Sequence, residues 1–195
     1  MTIPITDQRL GSLLRPRRVA LVGAADKSGF SRMTFRNLVE FGLGEHTYLV
    51  TRRGTRTHGR PTVTSCTQIP EPVDLAFMMV PRAGTLGALS DAAAAGIRHA
   101  LVLSSGYADA GPAGLRAQAE LVSCAEELGI LLAGPNHLGF ANFVDQIPVT
   151  AIPGLPRAAG PVALVSQSGM AASAVIRSVS RCGSMTRATV PSWTR

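Results

Sequence analysis

Aromatic residues are scarce in this chain, at 5% of 195 residues with a single Trp, and that scarcity limits what its charge can mean. The net charge is +7, with basic side chains clustered at Arg15, Arg17 and Arg18 and again at Arg52, Arg53, Arg56, His58 and Arg60. Nucleic-acid modules usually interleave such charge with aromatic or recognition elements. No nucleic-acid partner is therefore expected, and the basic clusters read as solvated surface or as a site for a smaller anion. Cysteine is equally sparse: Cys66, Cys124 and Cys182 form no CxxC pair and lie too far apart for a local metal knuckle. No metal is expected, and a reducing compartment fits. Long apolar runs are missing too, since none approaches the roughly 20 residues of a membrane helix. Met1 to Gly11 is mixed and polar, unlike a secretory leader. The expectation is a soluble, cytoplasmic protein without a membrane partner. Its 46% hydrophobic content still supplies a sizeable core.

What is present alternates between short apolar runs and helical patterns. The runs Val19–Val22, Thr47–Val50, Leu75–Val80, Ala100–Leu103 and Ile130–Ala133 read as strands. Between them, helical spacing predicts helices over Met33–Phe41, Thr85–Ala95, with Thr85 or Gly84 as cap, and Ala113–Leu128. This order predicts an α/β fold, a Rossmann-like doubly wound parallel sheet. From Ala141 to Pro161 the chain is proline-rich and irregular. A second strand, glycine turn and helix then start at Val162. Three segments are expected: a domain over 1–145, a linker over 146–161 and an incomplete second α/β unit over 162–195. Beyond Gly183 neither helical nor strand periodicity is visible.

Every strand of the first unit finishes in small, polar or turn residues, and a ligand of an open parallel sheet lies beyond those carboxyl ends. After the first strand comes Gly23-Ala24-Ala25-Asp26-Lys27-Ser28-Gly29, a loop that opens a helix. Backbone amides aimed by a helix N-terminus suit a pyrophosphate. The second strand ends in Arg52-Arg53, where an NAD enzyme would usually carry an acid for the ribose hydroxyls. Two arginines favour a ribose bearing a phosphate, and NADP and coenzyme A both qualify. Ser104 and Ser105 beyond the fourth strand are further candidates. His137 reads as a packing or hydrogen-bonding residue, because its motif shows no neighbouring acid or nucleophile. The segment Ser166-Gln167-Ser168-Gly169 lacks the G-x-S-x-G pattern of a nucleophile elbow, and no Tyr-x-x-x-Lys pair supports hydride transfer.

Five ordered motifs carry a family likeness: Leu14 to Ala24, Pro70 to Ala76, Ser105 to Asp109, Gly134 to Gly139 and Gly160 to Gly169. Over residues 10 to 182 the chain resembles the NDP-forming acyl-CoA synthetases, relatives of the succinyl-CoA synthetase alpha subunit. The resemblance selects coenzyme A, or an acyl-CoA, over NADP. It implies a CoA-binding Rossmann-like domain followed by the start of a flavodoxin-type domain. Position by position it places the phosphate loop on Ala25, Asp26, Lys27 and Ser28 between Gly23 and Gly29, and the basic residue after the second strand on Arg53. Arg52 takes the place of a common proline. The pantetheine segment maps to Leu103, Ser104 and Ser105, and the thiol end to Gly134, Pro135 and Asn136.

Some positions depart from that pattern. His137 stands where the family commonly has cysteine, and Asp26 places an acid inside a phosphate loop, which repels pyrophosphate unless it caps the helix or pairs with Lys27. The family's phosphorylated histidine and nucleotide-grasp region lie beyond the retained segment, so no catalytic residue is assigned. The tail from Ser184 to Arg195 reads like out-of-frame translation of an arginine-rich gene, and the second domain is expected to be truncated. The implied function is CoA binding within an acid–thiol ligase, with another chain supplying the remaining synthetase domains; self-association stays open. The rivals are a noncatalytic acyl-CoA-sensing or interaction module, similar to acetyltransferase-fused relatives, and an NADP-binding oxidoreductase.

Overall fold

A computed structural model describes residues 5–54, 56–181 and 186–190. Helix α1 (Asp7–Leu14) leads into strand β1 (Val19–Val22), helix α2 (Gly29–Glu40) and strand β2 (Thr47–Val50). A small hairpin of β3 (Arg56–Thr57) and β4 (Arg60–Pro61) follows, then β5 (Leu75–Met78), α3 (Arg82–Ala94), β6 (His99–Val102), α4 (Pro112–Glu127) and β7 (Leu131–Ala133). The chain closes with β8 (Ala141–Asn142), β9 (Val162–Val165), α5 (Gly169–Arg181) and β10 (Thr186–Val190).

Five strands form one parallel sheet in the order β2-β1-β5-β6-β7. Their near-continuous apolar sequences suit strands covered on both faces. Alternate residues feed two cores. Ala20, Val22, Ala76, Met78, Ala100 and Val102 pack with Leu89 and Ala92 of α3 and Leu121 and Ala125 of α4. Leu21, Leu75, Phe77 and Leu101 face the other way, toward Leu13 of α1 and Leu38 of α2. The Rossmann-like α/β architecture read from the sequence is the one observed.

Helix ends follow local chemistry. Ser28 caps α2 by accepting from the Ser31 amide, and Pro112 opens α4, where a missing N–H costs nothing. Helix α3 starts at Arg82, not near Thr85. Pro81 precedes it without a side-chain cap, and the Thr85 hydroxyl instead donates back to the Pro81 carbonyl at 3.4 Å.

Within the segment expected as a linker, residues 147–152 are buried. The Phe140 amide donates to Val149 O at 2.8 Å, and Asn37 of α2 donates from Nδ2 to the carbonyls of Thr150 and Ile152. Prolines made this stretch look loose, yet its backbone is held by an amide side chain 113 residues away. A second sheet, β8-β10-β9, has β10 antiparallel to β8 and parallel to β9. Thr186–Val190 is thus a strand, although no strand periodicity is visible in the sequence of the tail. Ser184, Met185 and residues 191–195 of that tail lie outside the described residues, as does Cys182. Ile152, Ala172 and Ile176 make a small core for this unit with Leu138, Leu155 and Leu164. Among the described residues no helix is long and apolar enough to cross a membrane.

Candidate functional site

Strand order determines where a ligand can enter. The chain steps from β1 outward to β2, then returns past β1 to β5 and continues outward through β6 and β7. The connections after β1 and β5 therefore diverge, leaving a crevice beyond their carboxyl ends. Gly23 to Ser28 follows β1, Arg52 and Arg53 follow β2, Leu103 to Ser105 follow β6, and Gly134 to Asn136 follow β7. All fourteen residues singled out in the sequence thus gather along one edge of the sheet, across four strands.

Their backbone groups divide into two kinds. The amides of Gly23 and Ala24 both donate to Val50 O, at 2.8 and 3.2 Å, the Ala25 amide donates to Ser31 Oγ at 3.1 Å, and the Ser28 amide donates to Ala25 O at 3.1 Å. These hold the loop against β2 and α2. The amides of Asp26, Lys27, Gly29 and Phe30 have no acceptor among the described residues. They belong to the loop and to the first turn of α2, where the helix dipole favours negative charge.

The two glycines of the loop do different jobs. Gly23 has φ +87°, and a Cβ there would lie 2.7 Å from Val80 Cγ1 and 3.0 Å from the Met79 carbonyl carbon. It lets the ends of β1 and β5 come together. Gly29 has ordinary φ, and a Cβ on it would meet nothing within 4 Å. It leaves open space above free amides.

Three cations border this loop. The Lys27, Arg52 and Arg53 side chains are exposed and make no hydrogen bond or ion pair among the described residues. The arginines sit on a turn closed by Gly54 N donating to Thr51 O at 3.1 Å. Asp26 neither caps α2 nor pairs with Lys27: Ser28 is the cap, and the Asp26 carboxylate turns to His58.

Farther along the edge, the Ser104 carbonyl accepts from the Asn136 amide at 3.0 Å, tying the β6 and β7 loops together. Ser105 is exposed, and Arg82 Nη1 donates to Gly106 O at 2.6 Å. The amides of Gly106 and Tyr107 donate to Asp109 and hold its carboxyl below the usual carboxylate range. Gly134 has φ +106°, and a Cβ there would come 2.7 Å from Val102 O. The Gly134–Pro135 peptide is cis, and Asn136 is exposed at φ +56°. His137 is 5% exposed, and its Nδ1 accepts from the Gly139 amide at 2.8 Å. Burial lowers its pKa to about 4, so the ring is neutral. That is the hydrogen-bonding role read from its motif.

Two cavities lie away from this edge. A groove of about 500 Å³ lined by Asp7, Gln8, Arg15, Arg17, Asp74 and His99 opens at the amino edge of the sheet. A cavity of about 130 Å³ beside Cys66 and Ile97 is on the same side. The residues of the carboxyl edge are spread across several strand ends, an arrangement that suits an extended ligand. No cluster of His, Cys, Asp and Glu suited to a metal ion occurs among the described residues. Sequence spacing overlooked His58, which lies 27 residues from Ser31 and 32 from Asp26 yet contacts both. A lone His in a basic loop carries no local signal of that packing.

Residues 17–142 match the family described as the CoA binding domain. A trans-feruloyl-CoA synthase from an unknown prokaryotic organism is 31% identical over 169 residues, covering 84% of this chain and 24% of the relative. The alpha subunit of an ADP-forming acetate–CoA ligase I of Pyrococcus furiosus is 32% identical over 167 residues, covering 82% of this chain and 36% of the relative. Among solved structures, an apo dinucleotide-forming acetyl-coenzyme A synthetase 1 of Ca. Korarchaeum cryptofilum superposes with a TM-score of 0.83 at 26% identity. That match covers 93% of this chain and 39% of the other. The chain thus spans about a quarter to two fifths of the length of these relatives.

Proposed function

The chain belongs to the CoA binding domain family, and we propose that its carboxyl edge holds coenzyme A or an acyl-CoA on behalf of an NDP-forming acid–thiol ligase. The observation that carries this reading is the set of free donors at the switch point. The amides of Asp26, Lys27, Gly29 and Phe30 lie beside the side chains of Lys27, Arg52 and Arg53, which have no partner among the described residues. In this reading the pyrophosphate lies on the loop at Ala25 to Gly29, and Arg52 and Arg53 hold the phosphate on the ribose. The pantetheine arm runs past Leu103, Ser104 and Ser105 and brings the thiol to Gly134, Pro135 and Asn136. That path crosses three strand spacings of roughly 4.8 Å, about 14 Å in all. Gly23 and Gly134 shape the edge instead of donating to the ligand.

On its own the chain binds and does not ligate. Its described histidines are poorly placed to carry a phosphoryl group. His46 and His99 stand at the amino edge, while the rings of His58 and His137 are buried within hydrogen bonds of their own. The remaining synthetase steps are assigned to regions that the relatives possess outside the matched part, in the same chain or in a partner.

Isothermal titration tests the reading. Coenzyme A is expected to bind at one site per chain, more tightly than dephospho-CoA and far more tightly than NADPH. Micromolar NADPH binding with no heat from coenzyme A would overturn it in favour of an oxidoreductase module.

A further inference from the structure

The acid inside the loop belongs to a closed relay whose hydrogen-bond directions can be derived. Asp26 Oδ1 lies 3.1 Å from His58 Nδ1 and also accepts the His58 backbone N–H at 2.7 Å. A carboxylate only accepts, so Nδ1 carries the proton and Nε2 holds a lone pair. Ser31 Oγ lies 2.7 Å from that Nε2 and accepts the Ala25 amide at 3.1 Å. The Ser31 proton therefore points at His58. The chain runs Ala25 N–H to Ser31 O–H to His58 N–H to Asp26, each member donating to the next. Its order is that of an acyl-transfer triad, but Ser31 is fully buried and its oxygen already accepts an amide. The arrangement holds a shape and attacks nothing.

Other contacts fix the ring. Phe35 stacks on it with centroids 5.3 Å apart and planes 19° from parallel, and the His58 side chain is 4% exposed. His58 sits at φ +50°, a left-handed conformation that a side chain tolerates when its surroundings impose it. Arg32 donates to the Asp26 carbonyl, pulling the loop onto α2 from the other end.

We propose that His58 is a positioning residue for the ligand loop: acting through Ser31 and Asp26, it keeps the loop in the form that leaves the amides of Asp26, Lys27, Gly29 and Phe30 free, and its protonation weakens ligand binding. This rests on the coenzyme A reading above. Protonated Nε2 would present a second N–H to a Ser31 oxygen whose own proton then has no acceptor, and the tie to Ala25 loosens. The groups facing the ring are Asp26 from the loop and Ser31, Arg32 and Phe35 from α2. Burial lowers the His58 pKa, Asp26 opposes that and Arg32 reinforces it, so the neutral relay is the form present at pH 7.

The test is titration with coenzyme A at pH 8 and pH 5.5, joined to hydrogen exchange at the Ala25 amide without ligand. His58→Phe keeps the stacking but removes both ring nitrogens. It is expected to weaken coenzyme A binding about 5–10-fold at pH 8, the effect of one lost hydrogen bond, and to speed Ala25 exchange about as much. Acidification should weaken the wild type more steeply than this variant, whose residual slope reports the ligand's own phosphates. Asp26→Asn and Asp26→Ala remove the same charge from beside the ligand, but only Asn retains an acceptor for Nδ1–H, so Asp26→Asn should bind coenzyme A about 5–10-fold more tightly than Asp26→Ala. That exposed pair carries the test if His58→Phe fails to fold. Unchanged affinity and unchanged Ala25 exchange in His58→Phe, or equal affinities for Asp26→Asn and Asp26→Ala, would overturn the proposal. Ala25 exchange that responds to His58→Phe in a chain that binds no coenzyme A would keep the relay and overturn the ligand assignment.

Discussion

The two edges of the main sheet are built from similar residues and used in opposite ways. At the amino edge polar groups engage one another. Asp74 Oδ2 accepts the amides of Arg17 and Arg18 at 2.8 and 2.9 Å, Arg18 pairs with Glu71, and His99 Nδ1 donates to the Asp74 carbonyl at 3.0 Å. Tyr48 joins this group, and burial together with Glu71 raises its pKa. At the carboxyl edge, four amides and three cations stand without partners among the described residues. Donors aligned at one end of a sheet and unused within the fold are what an anionic ligand requires. At the amino edge the Arg18 side chain is tied to Glu71 and the Arg17 and Arg18 amides to Asp74, whereas the Arg52 and Arg53 side chains make no hydrogen bond or ion pair among the described residues. Equal charge therefore carries unequal meaning, and local partners decide which meaning applies.

The largest expected effect sharpens this comparison by placing a stability residue on the carboxyl edge. His137 is depressed to about 4 against 6.5 unfolded, so the unfolded chain binds the extra proton first. The contribution is intact above pH 6.5 and is lost as pH falls toward 4, about 3 kcal/mol in total. Urea midpoints measured across that window should fall in the wild type and fall less in His137→Leu. Equal slopes would contradict the neutral, buried ring.

Next, Asp74→Ala should cost about 2 kcal/mol of stability, because two amides lose a charged acceptor. The folded fraction should bind coenzyme A unchanged. A large loss of affinity would break the division between edges.

A smaller effect belongs to the other side. Replacing Arg52 and Arg53 together by Ala should leave the melting temperature within a degree or two, since exposed charges without partners contribute little to stability. It should weaken coenzyme A about tenfold or more, by roughly the strength of one charged hydrogen bond. Dephospho-CoA should be affected much less. Equal losses for the two ligands would move the ribose phosphate away from these arginines.

Gly29→Ala is the subtlest. A methyl group here enters open space at ordinary φ, so the unliganded chain should gain roughly 0.5 kcal/mol from helix propensity and reduced unfolded-state entropy. Calorimetry should show this gain alongside weaker coenzyme A binding. Stabilisation with undiminished affinity would place the phosphates elsewhere.

Much of this arrangement was legible in the sequence. Strands such as Val19–Val22 and Thr47–Val50 stand out because a doubly covered parallel sheet needs uninterrupted apolar runs, whereas helical spacing marked α2 only from Met33, although the Ser28 cap starts it at Gly29. The family likeness named the ligand. Other features depend on distance in space. That the Gly23 amide is engaged and the Gly29 amide is free follows from where Val50 lies. That Asp26 has a partner follows from a hairpin folding His58 back over α2. The order of residues 147–152 follows from Asn37 reaching across from α2. Helix α1 is only eight residues long and carries Gly11 at its centre, so Leu10, Leu13 and Leu14 share one apolar face without enough turns to announce a helix.

Amide hydrogen exchange with and without coenzyme A tests most directly whether the carboxyl edge is the ligand edge. Slowing is expected at Asp26, Lys27, Gly29 and Phe30 and around Ser104 and Ser105, with Asp74 and the amides of Arg17 and Arg18 unchanged. Protection concentrated in the groove around Arg17, Asp74 and His99, with none at Asp26 to Phe30, would contradict it.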